Sequence, residues 1–149
     1  MKYTLDVVDP LTGEVVKQIE TEAVLVIPVK NKLRYLRKEG WFLGFQRFFI
    51  NLAMDRELTH ADFKVLSYLL GIMDFENFVM VSINEIAKQT GLSKPTVIKS
   101  LKKLRDKGII LIEKYGRRNC YKLNPECVWR GTFSKRGKKI LEFKLTTPP

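Results

Sequence analysis

Apolar positions recur along this chain with two different periods. Residues 3–9 (Tyr-Thr-Leu-Asp-Val-Val-Asp) and 14–20 (Glu-Val-Val-Lys-Gln-Ile-Glu) are rich in strand formers. They flank Asp9-Pro10-Leu11-Thr12-Gly13, where Pro fixes φ and Gly accepts a positive one. This pattern predicts an N-terminal β-hairpin. Residues 23–29 form another β-branched run, expected as a strand or an extended arm, and the basic stretch Lys30 to Lys38 has no clear period. From Trp41 to Asp55 the period becomes helical. Trp41, Phe42, Phe45, Phe48, Phe49, Leu52 and Ala53 fall on one wide stripe. Core packing is the simpler reading of that stripe, although five aromatics on one helix also suit a dimer face.

A second helix is expected after Thr59, with Asp62 in the third position of a capping box and Phe63, Leu66, Leu70 and Met73 turned inward. Residues 78–81 (Phe-Val-Met-Val) are too short for a helix and read as a brief strand. Ser82 opens a third helix, with Glu85 placed to complete another capping box. Ala87 and Gly91, four apart, meet the needs of two helices crossing closely: a small contact residue, then a left-handed helix end. Ser93 is placed to cap a fourth helix, and Pro95 in its first turn costs no intrahelical hydrogen bond. Val97, Leu101 and Leu104 form its buried ridge. The remaining positions carry Lys94, Thr96, Lys99, Ser100, Lys102, Lys103 and Lys107, with Asp106 as the nearby acid in sequence.

After Lys107-Gly108, the run Ile109–Lys114 and the run Cys120–Leu123 flank Tyr115-Gly116-Arg117-Arg118-Asn119. Two strand-forming runs joined by such a tip predict a hairpin ending in two cations. The order from Thr59 to Leu123 is helix, short strand, helix, tight turn, helix, hairpin. That order is a winged helix-turn-helix, and turn, caps, ridge and wing all agree on it. The predicted class is α+β: a winged helix-turn-helix domain with an N-terminal β-hairpin and an extra aromatic-rich helix. The corresponding division is a hairpin and basic arm over 1–40, the winged helix-turn-helix domain over 41–131, and a basic C-terminal extension over 132–149. In that extension Lys135, Arg136, Lys138 and Lys139 are read either as a solvated tail or as a phosphate-binding arm.

Charge sharpens the picture. The 149 residues carry a formal net charge of +11. Residues 1–87 hold ten basic and twelve acidic side chains, whereas residues 88–149 hold seventeen and four. Charge needed only for solubility has no reason to segregate, so the basic half implies a polyanionic partner, nucleic acid before an anionic membrane surface. An isolated helix gains from Glu–Lys pairs at i,i+4, and the fourth helix has almost none. Unpaired cations there make sense if phosphates neutralise them.

The inventory of reactive side chains argues against catalysis. One histidine, His60, and two cysteines, Cys120 and Cys127, cannot fill a structural zinc site of the usual kind. His60 follows a helix cap and reads as solvated; the cysteines read as reduced thiols. No GxxxxGK[ST] or GxGxxG run offers a phosphate cradle, and no nucleophile motif surrounds His60. No enzyme activity, cofactor or metal is expected. The longest apolar run, Ala23 to Val29, contains Pro28 and falls far short of the ~20 residues needed to cross a bilayer. The first residues lack a signal-peptide layout, so a soluble cytoplasmic protein associated with the nucleoid or a plasmid is expected, without membrane contact.

The pattern Ile86-Ala87-x3-Gly91-Leu92-Ser93-x2-Thr96-Val97-x3-Leu101-x2-Leu104-x2-Lys107-Gly108-Ile109-Ile110 resembles that shared by bacterial winged-helix regulators. Asn119-Cys120-Tyr121-Lys122-Leu123-Asn124-Pro125 with Trp129-Arg130-Gly131, Met73-Asp74-Phe75-Glu76-Asn77, and the Thr12-Gly13-Glu14 turn are similar to plasmid replication proteins of the RepL type. The likeness covers residues 40–131 well, the first 25 weakly and the last 18 not at all. It implies origin-DNA binding that starts or controls plasmid copying, without polymerase or nicking activity in this chain. The expected partners are double-stranded DNA, a second copy of the chain on paired half-sites, and host replication proteins. For the duplex contact, Thr96, Lys99 and Ser100 are expected to reach base edges in the major groove. Lys94 and Lys103 sit at the margins of that face, toward phosphates, Ser93 at the helix start belongs to the same expected DNA-binding set, and Arg117 and Arg118 reach phosphate or an adjacent minor groove. A winged-helix repressor is the main alternative. A protein-interaction module and a metal-dependent nuclease are the others, the last disfavoured by the scarcity of acids in the basic half.

Overall fold

The computed structural model describes residues 2–21 and 40–147. The expected strand or arm at 23–29 and the basic stretch Lys30 to Lys38 lie outside the described residues. The chain divides into two compact units, Met1–Trp41 and Phe42–Pro149. In the first, β1 (Tyr3–Val8) and β2 (Val15–Thr21) pair antiparallel, from Tyr3↔Thr21 to Val8↔Val15. The loop is tied by Gly13 N–H donating to the Asp9 carbonyl at 2.8 Å and Leu11 N–H donating to the Asp9 carboxylate at 2.7 Å. Gly13 takes the positive φ of 74° that the turn requires.

The second unit begins with β3 (Leu43–Gly44) and α1 (Gln46–Met54), followed by α2 (His60–Ile72). A single 3₁₀ turn, Phe75–Asn77, leads into β4 (Phe78–Met80). Then come α3 (Ile83–Thr90), α4 (Lys94–Asp106), β5 (Ile110–Tyr115), β6 (Arg118–Leu123), β7 (Val128–Trp129) and α5 (Phe133–Thr146). β6 is the centre of a three-stranded antiparallel sheet, with β4 on one side and the wing strand β5 on the other. The buried ridge of α4 (Val97, Leu101, Leu104) packs into one core with Val65, Leu69 and Ile86 from α2 and α3 and with Ile110 and Tyr121 from the sheet. Helix-turn-helix and wing therefore share one apolar centre, as the sequence pattern predicted.

Local chemistry explains the boundaries. Thr59 and Asp62 form a reciprocal capping box on α2, the Thr59 N–H donating to Asp62 Oδ2 at 2.8 Å. Ser82 accepts from the Glu85 N–H at 3.1 Å, but Glu85 does not return the bond; it accepts instead from Gln89 Nε2 at 3.1 Å, so this box is half-made. Gly91 ends α3 in the left-handed region at φ 72°, its N–H bonded to the Ala87 carbonyl. Ser93 caps α4 through the Thr96 N–H.

The helix expected over 41–55 is shorter than predicted. Its first residues are claimed by an antiparallel ladder, Leu43↔Trp129 and Gly44↔Val128. A Cβ on Gly44 would stand 2.5 Å from the Phe49 ring, so the bare backbone permits the turn into α1. Phe48 and Leu52 are buried while Phe49 is exposed. In α2 the inward arc is Asp62, Val65, Leu66 and Leu69, which leaves Phe63 exposed rather than buried.

The C-terminal stretch, read as a basic extension, contains the helix α5. Phe143 is buried, and Arg136 stacks 4.3 Å over the Phe45 ring while donating to the Pro125 carbonyl at 2.9 Å. No helix among the described residues is long and apolar enough to cross a membrane.

Candidate nucleic-acid interface

With the ridge of α4 buried, its other positions sort by angle around the axis. Pro95, Lys99, Lys102 and Asp106 point away from the core; Ile98 and Arg105 lean to one flank, Thr96, Lys103 and Lys107 to the other. The wing lies on the Ile98 flank. Lys102 and Arg105 of α4 share a hollow of about 180 Å³ with Ile112 and Asn119 of β5 and β6. The cationic helix and the arginine-tipped ribbon thus lie side by side.

The wing tip is a two-residue connection. Tyr115 and Arg118 are the last paired residues, and Gly116 alone takes a positive φ of 64°, the preference of a type II′ turn. Arg117 and Arg118 are both exposed, and they border a concavity whose other wall is the start of α3 at Ser82–Glu85. Among the described residues, no carboxylate lies within ion-pair distance of Lys94, Lys99, Lys102, Arg117 or Arg118.

The other flank of α4 is occupied differently. Lys103 Nζ donates to Asp62 Oδ2 at 2.7 Å and to the Glu57 carbonyl at 3.1 Å. Lys107 Nζ sits 2.8 Å from Asp55 and 2.9 Å from Glu57. Asp62 is 2% exposed. Burial alone would raise its pKa, but the hydrogen bonds from Lys103 and the Thr59 N–H, with the hydroxyls of Ser100 and Thr59 nearby, outweigh it and hold the carboxyl down at about 2. Lys107 is pushed upward in pKa, chiefly by its bond to Asp55.

These contacts revise the expected site. Ser100 is 2% exposed, so it cannot reach a base edge. Its position, three residues after Val97 and four before Leu104, places it on the buried side. Lys103 is a tertiary anchor, held by Asp62 and the Glu57 carbonyl. The fourth helix is not without acidic partners; they come from the α1–α2 segment, where sequence spacing could not reveal them. Ser93 and Thr96 share a hydroxyl–hydroxyl contact of 2.8 Å at the helix start. Lys94, Lys99, Arg117 and Arg118 remain presented to solvent. Lys102, Arg105 and Ile98 belong to the surface beside the wing; the sequence pattern placed Lys102 on the outward side without assigning it a contact and did not name Arg105 or Ile98, although counting around the helix from the ridge locates them.

The basic run of the last helix is largely engaged. Lys135 and Lys139 pair with Glu76 at 3.2 and 3.5 Å, Lys139 also with Glu142 at 3.0 Å, and Arg136 is held as described. Lys138 makes no ion pair with a described residue.

The two short motifs at 73–77 and 129–131 brace each other. Asn77, buried at a positive φ of 61°, donates to the Leu123 and Val128 carbonyls at 3.0 and 2.7 Å and accepts from the Arg130 N–H at 2.9 Å. The Arg130 guanidinium donates to the Met73 carbonyl and lies 5.0 Å over the Phe75 ring. A Cβ on Gly131 would meet the Trp129 ring at 2.8 Å. These residues hold the base of the wing sheet to β7; they do not line the cationic face.

A family model described as "Firmicute plasmid replication protein (RepL)" matches residues 41–147. A "Replication and maintenance protein" of Bacillus subtilis is 40% identical over 81 residues, which is 54% of this chain and 53% of that protein. One of the same description from Staphylococcus aureus is 40% identical over 81 residues, covering 54% of this chain and 49% of that protein. The chain thus spans about half the length of the relatives it matches. Among solved structures, ZitR of Lactococcus lactis in complex with DNA aligns over 80% of this chain and 71% of that chain at 17% identity and TM-score 0.40. The homodimeric winged helix-turn-helix domain Mb0332 of Mycobacterium bovis aligns over 83% and 88% at 15% identity and TM-score 0.37. The fold assignment rests on the elements themselves.

Proposed function

From the premise that the chain belongs to the Firmicute plasmid replication protein (RepL) family, we propose that it binds a specific duplex sequence at a plasmid origin and so starts or controls copying. The observation that carries this reading is the cationic surface shared by α4 and the wing, where Lys94, Lys99, Lys102, Arg117 and Arg118 face solvent with no carboxylate partner among the described residues. Helix α4 enters the major groove, where Lys99 donates to guanine O6 and N7 and Thr96 contacts a thymine methyl. Lys94 binds a flanking phosphate, and Ser93 holds the helix start in position. Arg117 and Arg118 contact phosphates or the neighbouring minor groove. The chain acts by binding rather than by catalysis, in the cytoplasm on plasmid DNA, as two copies on paired half-sites, and it recruits host replication proteins to that site.

The test is selection of bound fragments from a random duplex pool, followed by mobility shifts on the selected site. Lys99→Ala is expected to relax preference at one base pair by ~1–3 kcal/mol. Arg117→Ala is expected to weaken all duplexes alike and reduce the salt slope by ~0.9. Absence of any duplex affinity at low salt would reject the reading in favour of a protein-interaction module.

A further inference from the structure

A helix in the major groove and a ribbon in the next minor groove are separated by one sugar–phosphate strand, so whatever lies between them on the protein faces that strand. In this molecule the space between α4 and the wing is the hollow of about 180 Å³. Its floor is apolar, built from Ile83, Ile98, Leu101 and Ile112, and Ile98 remains 38% exposed within an otherwise cationic surface. Its rim is polar: Lys102 and Arg105 from the helix, Asn119 from the ribbon. The Arg105 pairing is with its exposed neighbour Asp106 at 3.2 Å, a surface contact that holds a guanidinium only weakly. Tyr121 also lines the hollow, is fully buried, and its hydroxyl has no hydrogen-bond partner among the described residues.

We infer that this hollow is a seat for a single nucleotide unit of the DNA backbone. The deoxyribose lies on the Ile98–Ile112 floor. One phosphate lies between Lys102 and Arg105, which donate to its oxygens together with the Asn119 amide. A charged rim around an apolar floor suits a sugar–phosphate unit, which is apolar on the sugar face and anionic at the linkage, and suits a base edge less well. The seat fixes the register of α4 against the wing on the duplex, independently of which bases Lys99 reads.

The inference rests on the duplex-binding reading, and one experiment separates the two. Methylphosphonate, which removes the charge of one linkage, is walked along each strand of the selected site and binding is measured across a salt series. In the wild-type protein, one linkage flanking the α4 contact is expected to be sensitive, losing roughly tenfold in affinity when neutralised. The Lys102→Gln/Arg105→Gln double variant, both positions being at the surface, is expected to keep its melting temperature. It should lose the sensitivity at that linkage alone and show a salt slope smaller by about 0.9, the value for one phosphate. A double variant with unchanged slope and an unchanged set of sensitive linkages overturns the seat while leaving duplex binding intact. A wild-type protein that binds no duplex overturns the reading beneath it.

Discussion

At the scale of single residues, Asp62 serves two elements at once. It closes the capping box of α2 and takes Lys103, so one carboxylate sets the start of α2 and the position of α4. Because its folded pKa is depressed from 3.8 to about 2, its contribution is present above pH ~4 and lost as pH falls from about 4 to about 2. The size is about 2 kcal/mol. Thermal melts across that range are expected to show a drop in stability that Asp62→Asn lacks, the variant being about 2 kcal/mol less stable at neutral pH. Sequence reading saw the capping box correctly and missed the second duty. A lysine's partner forty-one residues away leaves no trace in local spacing.

At the scale of elements, the predicted helices and strands formed because their signals are short-range: a cap, a ridge at i, i+4 and i+7, a Gly where φ must be positive. The prediction failed where an element was decided from outside. Leu43–Gly44 has helical periodicity but pairs with Val128–Trp129, and periodicity cannot register a ladder that closes over eighty residues of chain. The last helix is the complementary case. Its cations read equally as a solvated tail or as a phosphate-binding arm, whereas Lys135 and Lys139 meet Glu76 and Phe143 is buried. Phe143→Ala is expected to destabilise the fold by about 3 kcal/mol in urea titrations, while leaving the salt slope of DNA binding unchanged. A change in slope without loss of stability would restore the arm.

At the scale of the whole molecule, the remaining question is what covers the apolar residues that folding leaves exposed. Helix α1 presents Ile50 at 57% and Met54 at 74% exposure, and α5 presents Leu141 and Leu145. The aromatic-rich helix was expected to serve either the core or a dimer face, and it divides the work: Phe48 and Leu52 go inward, Phe49, Ile50 and Met54 outward. Sedimentation at micromolar concentration is expected to give a dimer, and Met54→Glu a monomer that binds paired half-sites more weakly. A wild-type monomer would remove α1 as the interface. Sequence alone determined that this chain makes a helix-turn-helix with a wing and places its positive charge there, because caps, turns and charge runs act over a few residues. Tertiary structure alone decided which cations are available. The fold brought Asp55, Glu57 and Asp62 against Lys103 and Lys107 and left Lys99, Lys102 and the wing arginines facing water, since electrostatic pairing depends on distance in space and not along the chain.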